Sequence, residues 1–351
     1  MNYNVLGIMS GTSLDGIDLC LVNFQYKSRW KYKILRAKTI KYSEKWIKDL
    51  RLADTLSGRD LSRLDAKYGQ FIGQTAANFI KETNEKIDLI ASHGHTVFHE
   101  PQYHYSKQIG HGAYIAAESG LLTVSDFRSL DLAYGGQGAP LVPFGDIHLF
   151  SKYKAWLNIG GIANITIQQK DKVIAFDIAA ANMVLNYLSQ KHFNLPYDEN
   201  GMHAAQGNTN SYLLNQLNKF DYYLESAPKS LGKEDIDKNI IPIINKERLS
   251  AKDILHTYTQ HLSEQIIATA KNYEILDEEI LITGGGANNQ FLISLLSSHL
   301  KIILPHKSII EFKEALIFAF LGLNRLLHNH NVINTVTGAK KANSSGSIYL
   351  P

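Results

Sequence analysis

Apolar and polar positions along the chain form two similar series of elements. Residues 5–9 are a nearly continuous apolar run that predicts a buried strand, and after a polar loop residues 17 to about 24 predict a second. A polar break, YKSRW, precedes a third candidate, KYKILRAKTI. From Asp60 to Lys81 the period changes. Leu61, Leu64, Tyr68, Phe71, Ile72, Thr75 and Phe79 recur every three or four positions, which places them on one helical face. The order then returns: KAWLNIGG (154–161) is strand and turn, IANITIQQ a second strand, KVIAFD (172–177) a third, and ANMVLNYLSQK a helix.

No sequence repeat accompanies this, yet the recurring order predicts duplication of one α/β unit. The expected division is an N-terminal domain of residues 1–150 and a C-terminal domain of residues 151–351, with the terminal helix packing back on the first. Two such halves predict a central cleft, a common setting for small ligands. Farther along, residues 194–207 read as loop and 251–271 as a helix with Ile254, Leu255, Tyr258, Leu262, Ile266 and Ile267 on its apolar side. EEILITGGGANNQFLISLL reads as strand, glycine turn and helix, EALIFAFLGLNRLLH as another helix, and the tail NSSGSIYLP as surface.

Composition narrows the function classes. Of 351 residues 44% are hydrophobic and 20% charged, values of a globular chain long enough for two domains. The net charge of +3 is spread, with no dense Lys/Arg block, which argues against nucleic acid or a membrane surface as partner. The single cysteine, Cys20, sits in an apolar run and reads as a buried, inert thiol in a reducing compartment. The N-terminus does not read as a secretory signal, and stretches such as ALIFAFLGL are too short to span a bilayer. A soluble cytoplasmic protein is expected.

Three loops invite chemistry. In GIMSGTSLDGIDL (7–19), Gly11 and Gly16 permit close backbone approach, Thr12 and Ser13 offer donors to phosphate oxygens, and Asp15 and Asp18 suit Mg²⁺ held directly or through water. The alternative is a hairpin whose Ser, Asp and Gly serve the turn alone. In LITGGGANN, Gly284, Gly285 and Gly286 follow a strand and open a helix, where exposed amides suit an anion or a flat nucleotide. Asp177 ends an apolar strand before a helix, which fits either a general base near a cleft floor or an acid favoured by the helix dipole.

The histidines at 93, 95, 99, 104 and 111 suggest zinc, but without cysteine partners a structural or substrate-contact role is the better reading. SDFRSLDLAYGGQGAPLVP carries Arg128 and Asp131, either a clamp on an acidic substrate or a pair closing a loop. No GxSxG elbow occurs, so a serine hydrolase is set aside.

Taken in order, GIMSGTSLDGID, SHGHTVFH, DFRSLDLAYGGQGAPLVP, LNIGGIANIT, PKSLGKE, LITGGGANN and EALIFAFLG resemble the anhydro-N-acetylmuramic acid kinases, from about residue 5 to about 348. The resemblance implies two duplicated ribonuclease-H-like domains of the sugar kinase/actin/Hsp70 superfamily around a nucleotide cleft, with ATP and Mg²⁺. It implies hydrolytic opening of 1,6-anhydro-N-acetylmuramic acid with phosphorylation of O6, a step in reuse of cell-wall sugar. A homodimer would be in keeping with the family.

Carried over by position, Asp177 is the base and Glu314 helps to orient the water. The loop Gly11, Thr12, Ser13, Leu14, Asp15, Gly16, Ile17, Asp18 and the turn Gly284, Gly285, Gly286 hold the nucleotide. His93, His95, Arg128, Asp131 and Asn182 bind the sugar. No protein-held metal is implied; Mg²⁺ arrives on ATP, near Asp15 or Asp18.

Two departures stand out. Many members read Asp-Thr-Gly-Pro-Gly-Asn around the base, where this chain reads Asp177-Ile178-Ala179-Ala180-Ala181-Asn182, and alanines do not readily take positive φ. His95 stands where Gln is usual. The alternatives they raise are a kinase for a related anhydro-sugar and a silent nucleotide- or muropeptide-binding sensor of the same fold.

Overall fold

The computed structural model describes residues 1–11, 14–170 and 172–351. They form two compact units, residues 1–151 with 312–351, and residues 152–311. In the first unit, β1 (Asn2–Ser10), β2 (Gly16–Tyr26) and β3 (Trp30–Lys41) make an antiparallel meander, and β4 (Leu89–Ser92) pairs parallel with β1. β5 (His95–Glu100) and β6 (Tyr105–Ile109) form a separate hairpin, and β7 (Thr123–Ser125) adds parallel to β4.

The helix α1 (Gly58–Lys81) begins at Ser57, whose hydroxyl accepts the Asp60 amide at 3.2 Å, and α2 (Gly112–Ser119) follows β6. Leu6, Ile8, Ile17, Leu19 and Leu21 of the meander pack with Tyr68, Ile72 and Ala76 of α1 in one core cluster. Each such side chain contributes about 1.5–3 kcal/mol on burial.

The second unit repeats the plan. β8 (Ala155–Ile159), β9 (Ile162–Gln169) and β10 (Lys172–Ala180) are antiparallel, β11 (Glu279–Thr283) runs parallel to β8, and β12 (Lys301–Ile303) parallel to β11. The sheet order is β10-β9-β8-β11-β12, matching β3-β2-β1-β4-β7 of the first unit. This is the duplicated ribonuclease-H-like α/β arrangement. Its helices include α3 (Asn182–Phe193), α4 (Ala251–Asn272) and α5 (Gln290–Ser297).

Near the end of the chain the second unit stops at residue 311, and from Phe312 the helix α6 (Lys307–Leu326), the terminal helix expected to pack back on the first domain, belongs to the first unit. A Cβ added to Gly7 of β1 would lie 1.9 Å from the Ala315 carbonyl oxygen, so the strand needs glycine for this helix to seat. The tail is not surface: β13 (Ser347–Tyr349) pairs antiparallel with β7, and Ser345 is 0% exposed. Residues 194–207, read as loop, contain two short helical turns, Glu199–Gly201 and Met202–Ala205. No helix among the described residues is long and apolar enough to cross a membrane.

Candidate active site

In the first unit the candidate phosphate loop joins β1 to β2, with Ser10 opposite Ile17 and Met9 opposite Asp18. Thr12 and Ser13 lie outside the described residues. Ile17 is 0% exposed and Leu14, at φ 59°, packs on the core, so of these two the backbone alone is available to a ligand. Gly16 fits beneath the Ile40 carbonyl, which a Cβ would approach to 2.5 Å. Asp15 is exposed; Asp18 is half-buried and accepts the Thr39 hydroxyl at 2.5 Å. Below Gly11, the hydroxyls of Ser10, Tyr42 and Tyr68 form a closed buried triangle with edges of 2.7, 2.5 and 2.7 Å. Burial pushes both phenols up.

His93 and Arg128 form the second cluster. Arg128 Nη1 donates to the Gly138 carbonyl at 2.6 Å, and its Nε and Nη2 both reach His93 Nε2. Burial and the nearby guanidinium hold the His93 imidazole well below its ordinary pKa, so it stays neutral. Crowding takes Arg128 down to about 10, with Glu314 opposing, and the group remains charged at neutral pH. Glu314 keeps solvent access while surrounded by protein, which raises its carboxyl; Lys313 opposes the shift, Asp18 adds to it and Arg128 opposes it.

His95 is 5% exposed, with Nδ1 enclosed and unpartnered. Burial lowers its pKa, against the pull of the Gly11 backbone. His99, by contrast, is exposed and bonds Ser106. No set of three or more His, Cys, Asp or Glu among the described residues is arranged to hold a metal ion.

Asp131 departs from its expected role. It is 0% exposed, and its carboxylate accepts the Gly138 amide at 2.8 Å, the Thr337 hydroxyl at 2.9 Å and the Asn343 amide at 3.0 Å. A group so enclosed does not face a sugar. It holds the loop whose Gly138 carbonyl takes Arg128.

In the second unit Asp177 lies on β10 at a bulge, where the register against β9 shifts between Asp177 and Ala179. Its Oδ2 accepts the Leu231 amide at 3.0 Å and the Ser230 hydroxyl at 3.1 Å. Its backbone carbonyl accepts the Tyr222 hydroxyl at 2.6 Å, and its amide donates to the Lys229 carbonyl at 3.3 Å. Burial raises the carboxyl, and these two donors to Oδ2 oppose it. None of these partners was picked out by residue chemistry. The stretch PKSLGKE was visible only as part of a resemblance, because it lies some fifty positions from Asp177.

The alanine turn takes no positive φ at all. β10 continues through Ala180, Ala179 to Ala181 are fully buried, and α3 starts at Asn182. The first amides of that helix donate to the carbonyls of Gly160 and Gly161 at 2.9–3.1 Å, so no free amide cluster faces a ligand there.

Beside it is a cavity of about 490 Å³, a size suited to a nucleoside. Asn182, Asn186, Gly285, Gly286, Asn288 and Lys307 help to line it. Asn182 thus shares this cavity with Gly285 and Gly286 of the glycine turn. The glycines also do not open the helix directly. Gly285–Asn288 is a 3₁₀ turn, and α5 follows after Asn289, whose side chain caps the Leu292 amide at 3.0 Å. Gly284, at φ 84°, and Gly286 sit against Ile159, where a Cβ would collide at 2.7 and 2.2 Å.

Comparison with known proteins gives the family. Residues 3–351 match the family model described as anhydro-N-acetylmuramic acid kinase. Proteins of that name from Bacillus cereus (strain 03BB102) and Bacillus thuringiensis subsp. konkukian (strain 97-27) are each 34% identical, over 99% of this chain and 99% of theirs. Among solved structures, component A of the (R)-2-hydroxyglutaryl-CoA dehydratase of Acidaminococcus fermentans aligns over 90% of this chain and 95% of its own, at 10% identity and a TM-score of 0.46. With the match running almost from end to end, the chain belongs to the anhydro-N-acetylmuramic acid kinase family.

Proposed function

We propose that the protein uses ATP and water to convert 1,6-anhydro-N-acetylmuramic acid to N-acetylmuramic acid 6-phosphate, in reuse of cell-wall sugar in the cytoplasm. Family membership supports the substrate pair. One observation carries the chemistry: Asp177 has one carboxylate oxygen held by two donors, the other without a hydrogen bond among the described residues, and a pKa lifted by burial.

In the proposed step Asp177 takes a proton from the water whose oxygen attacks the anomeric carbon. The bond from that carbon to O6 breaks as O6 bonds to the γ-phosphorus. The bond from phosphorus to the β-bridging oxygen then breaks, and ADP leaves. The proton passes from Asp177 to solvent. Negative charge on O6 is relieved as it forms, so positioning and electrostatics carry most of the acceleration.

Glu314 is proposed to help orient the water, and Arg128, propped by His93, to hold the sugar together with His95. The 490 Å³ cavity, with Gly285, Gly286 and Asn182, is proposed for the nucleoside, and loop 11–18 for the phosphates. Mg²⁺ bound to ATP neutralises phosphate charge. A site of one or two carboxylates plus phosphates needs no protein cage, and exposed Asp15 with half-buried Asp18 fits that pattern.

The alanine stretch, which favoured a silent sensor, is buried strand and helix entry and leaves the Asp177 carboxylate and its donors in place. The test is a mass-resolved assay with Mg-ATP and the anhydro-sugar in ¹⁸O-labelled water. A product heavier by one phosphoryl group and one labelled water is expected. Intact ATP with no new sugar species would overturn the proposal.

A further inference from the structure

A free carboxylate is a two-fold rotor, and its oxygens are interchangeable until something tells them apart. At Asp177 two donors, the Ser230 hydroxyl and the Leu231 amide, converge on Oδ2 at 3.1 and 3.0 Å, while Oδ1 has no hydrogen bond among the described residues. The same segment fixes the backbone of Asp177 on both sides, through the Tyr222 hydroxyl and the Lys229 carbonyl. It is also closed on itself, since Lys229 Nζ donates to the Tyr222 carbonyl at 2.8 Å and lies 4.5 Å above that ring. The residues that follow Asp177 supply no polar side chain until Asn182, because Ile178 to Ala181 are apolar and buried.

We propose that Ser230 is a positioning residue for the base: with the Leu231 amide it pins Oδ2 and leaves Oδ1 as the atom that accepts the proton of the attacking water. Ile178, directly after the base, carries no hydroxyl, and the one on the carboxylate comes from Ser230. The base is therefore held by segment 222–231 and not by the turn behind it, which is how the alanine turn becomes compatible with turnover. The inference rests on the reading of Asp177 as the base. A donor to the charged carboxylate also lowers its pKa, so losing Ser230 raises it.

The experiment measures kcat and kcat/KM against pH for the whole protein and for Ser230→Ala, Ser230→Thr and Asp177→Asn, with Mg-ATP and the anhydro-sugar. Ser230→Ala is expected to move the acid limb up by about half to one pH unit and to lower kcat about 3- to 10-fold, with both KM values within about twofold. Ser230→Thr keeps the donor and is expected to restore the limb. A merely structural serine would leave the limb in place. If Asp177→Asn is inactive while Ser230→Ala keeps the parent pH profile, the positioning role is overturned and the base stands. Turnover persisting in Asp177→Asn would remove the base, and this inference with it. Should Ser230→Ala not fold, Ser230→Cys keeps the volume, weakens the donor and is read in the same way.

Discussion

Arg128 and His93 meet at a single atom: Nε and Nη2 of the guanidinium approach His93 Nε2 at 3.2 and 2.8 Å. The other ring nitrogen lies 2.9 Å from the Gly94 carbonyl and donates to it, which leaves Nε2 as the acceptor. A neutral imidazole thus sets the plane of the guanidinium. A lysine ammonium at position 128 cannot serve His93 and the Gly138 carbonyl together. Arg128→Lys is expected to lower kcat/KM for the sugar by about 10- to 100-fold, the scale of a charged hydrogen bond, with the KM for ATP unchanged. Steady-state kinetics with each substrate varied in turn checks this, and an equal loss for both substrates would remove Arg128 from the sugar site.

Asp131 supports that guanidinium at one remove. Asp131→Ala leaves the Gly138 amide, the Thr337 hydroxyl and the Asn343 amide without their acceptor in a closed site. A loss of about 3 kcal/mol in stability is expected, read from denaturant midpoints.

Asp177→Asn separates chemistry from folding. Turnover is expected to fall by about 10²- to 10⁴-fold, the usual share of a general base, with ATP binding by calorimetry preserved. In the parent protein, activity should fall as pH drops through a carboxyl pKa above the ordinary aspartate value, since burial raises it and the protonated form cannot accept. For stability the sign is opposite. The folded state binds this proton more tightly than the unfolded chain, so the group favours folding as pH falls through its folded pKa. A neutral asparagine is accordingly expected not to lower the melting temperature.

Gly286→Ala probes the cavity wall. Its Cβ would meet Ile159 Cγ2 at 2.2 Å, so the 3₁₀ turn must move. The expected result is a higher KM for ATP with the sugar KM preserved, and a stability loss of about 1–3 kcal/mol.

His95→Phe removes an enclosed acceptor and keeps a ring beside Tyr68, 6.5 Å away between centroids. We expect the sugar KM to rise about 3- to 10-fold, on the scale of one neutral hydrogen bond. A sugar KM that does not move would leave His95 a packing role.

The fold was legible where period and punctuation agree. The meander of β1 to β3, the helix α1 and the strands β8 to β10 all announce themselves through apolar spacing and glycine turns. β4 and β7 are short, and β13 ends in a polar-looking tail, so their membership of a sheet depends on partners far away in the chain. The same applies to the site. Asp177 was visible as a carboxylate at a strand end, but its orientation depends on Ser230 and Leu231, which no local pattern connects to it. Asp131 looked available because sequence displays charge and not enclosure; its donors are 7, 206 and 212 positions away. That Asn182 shares a cavity with Gly285, more than a hundred positions away, is likewise invisible in the local pattern.

The split course of the first unit, residues 1–151 and 312–351, has a consequence for synthesis. Translation completes the contiguous stretch 152–311 before the first unit has all its parts. Until Thr337 and Asn343 emerge, Asp131 lacks two of the donors that make its burial tolerable. A chain held on the ribosome with residues 1–311 emerged should therefore show a protease-resistant second unit beside a first unit that is still open to cleavage, and resistance in the first should appear once residues 312–351 emerge. Segment 312–351 would then be the one that locks the first stretch in place.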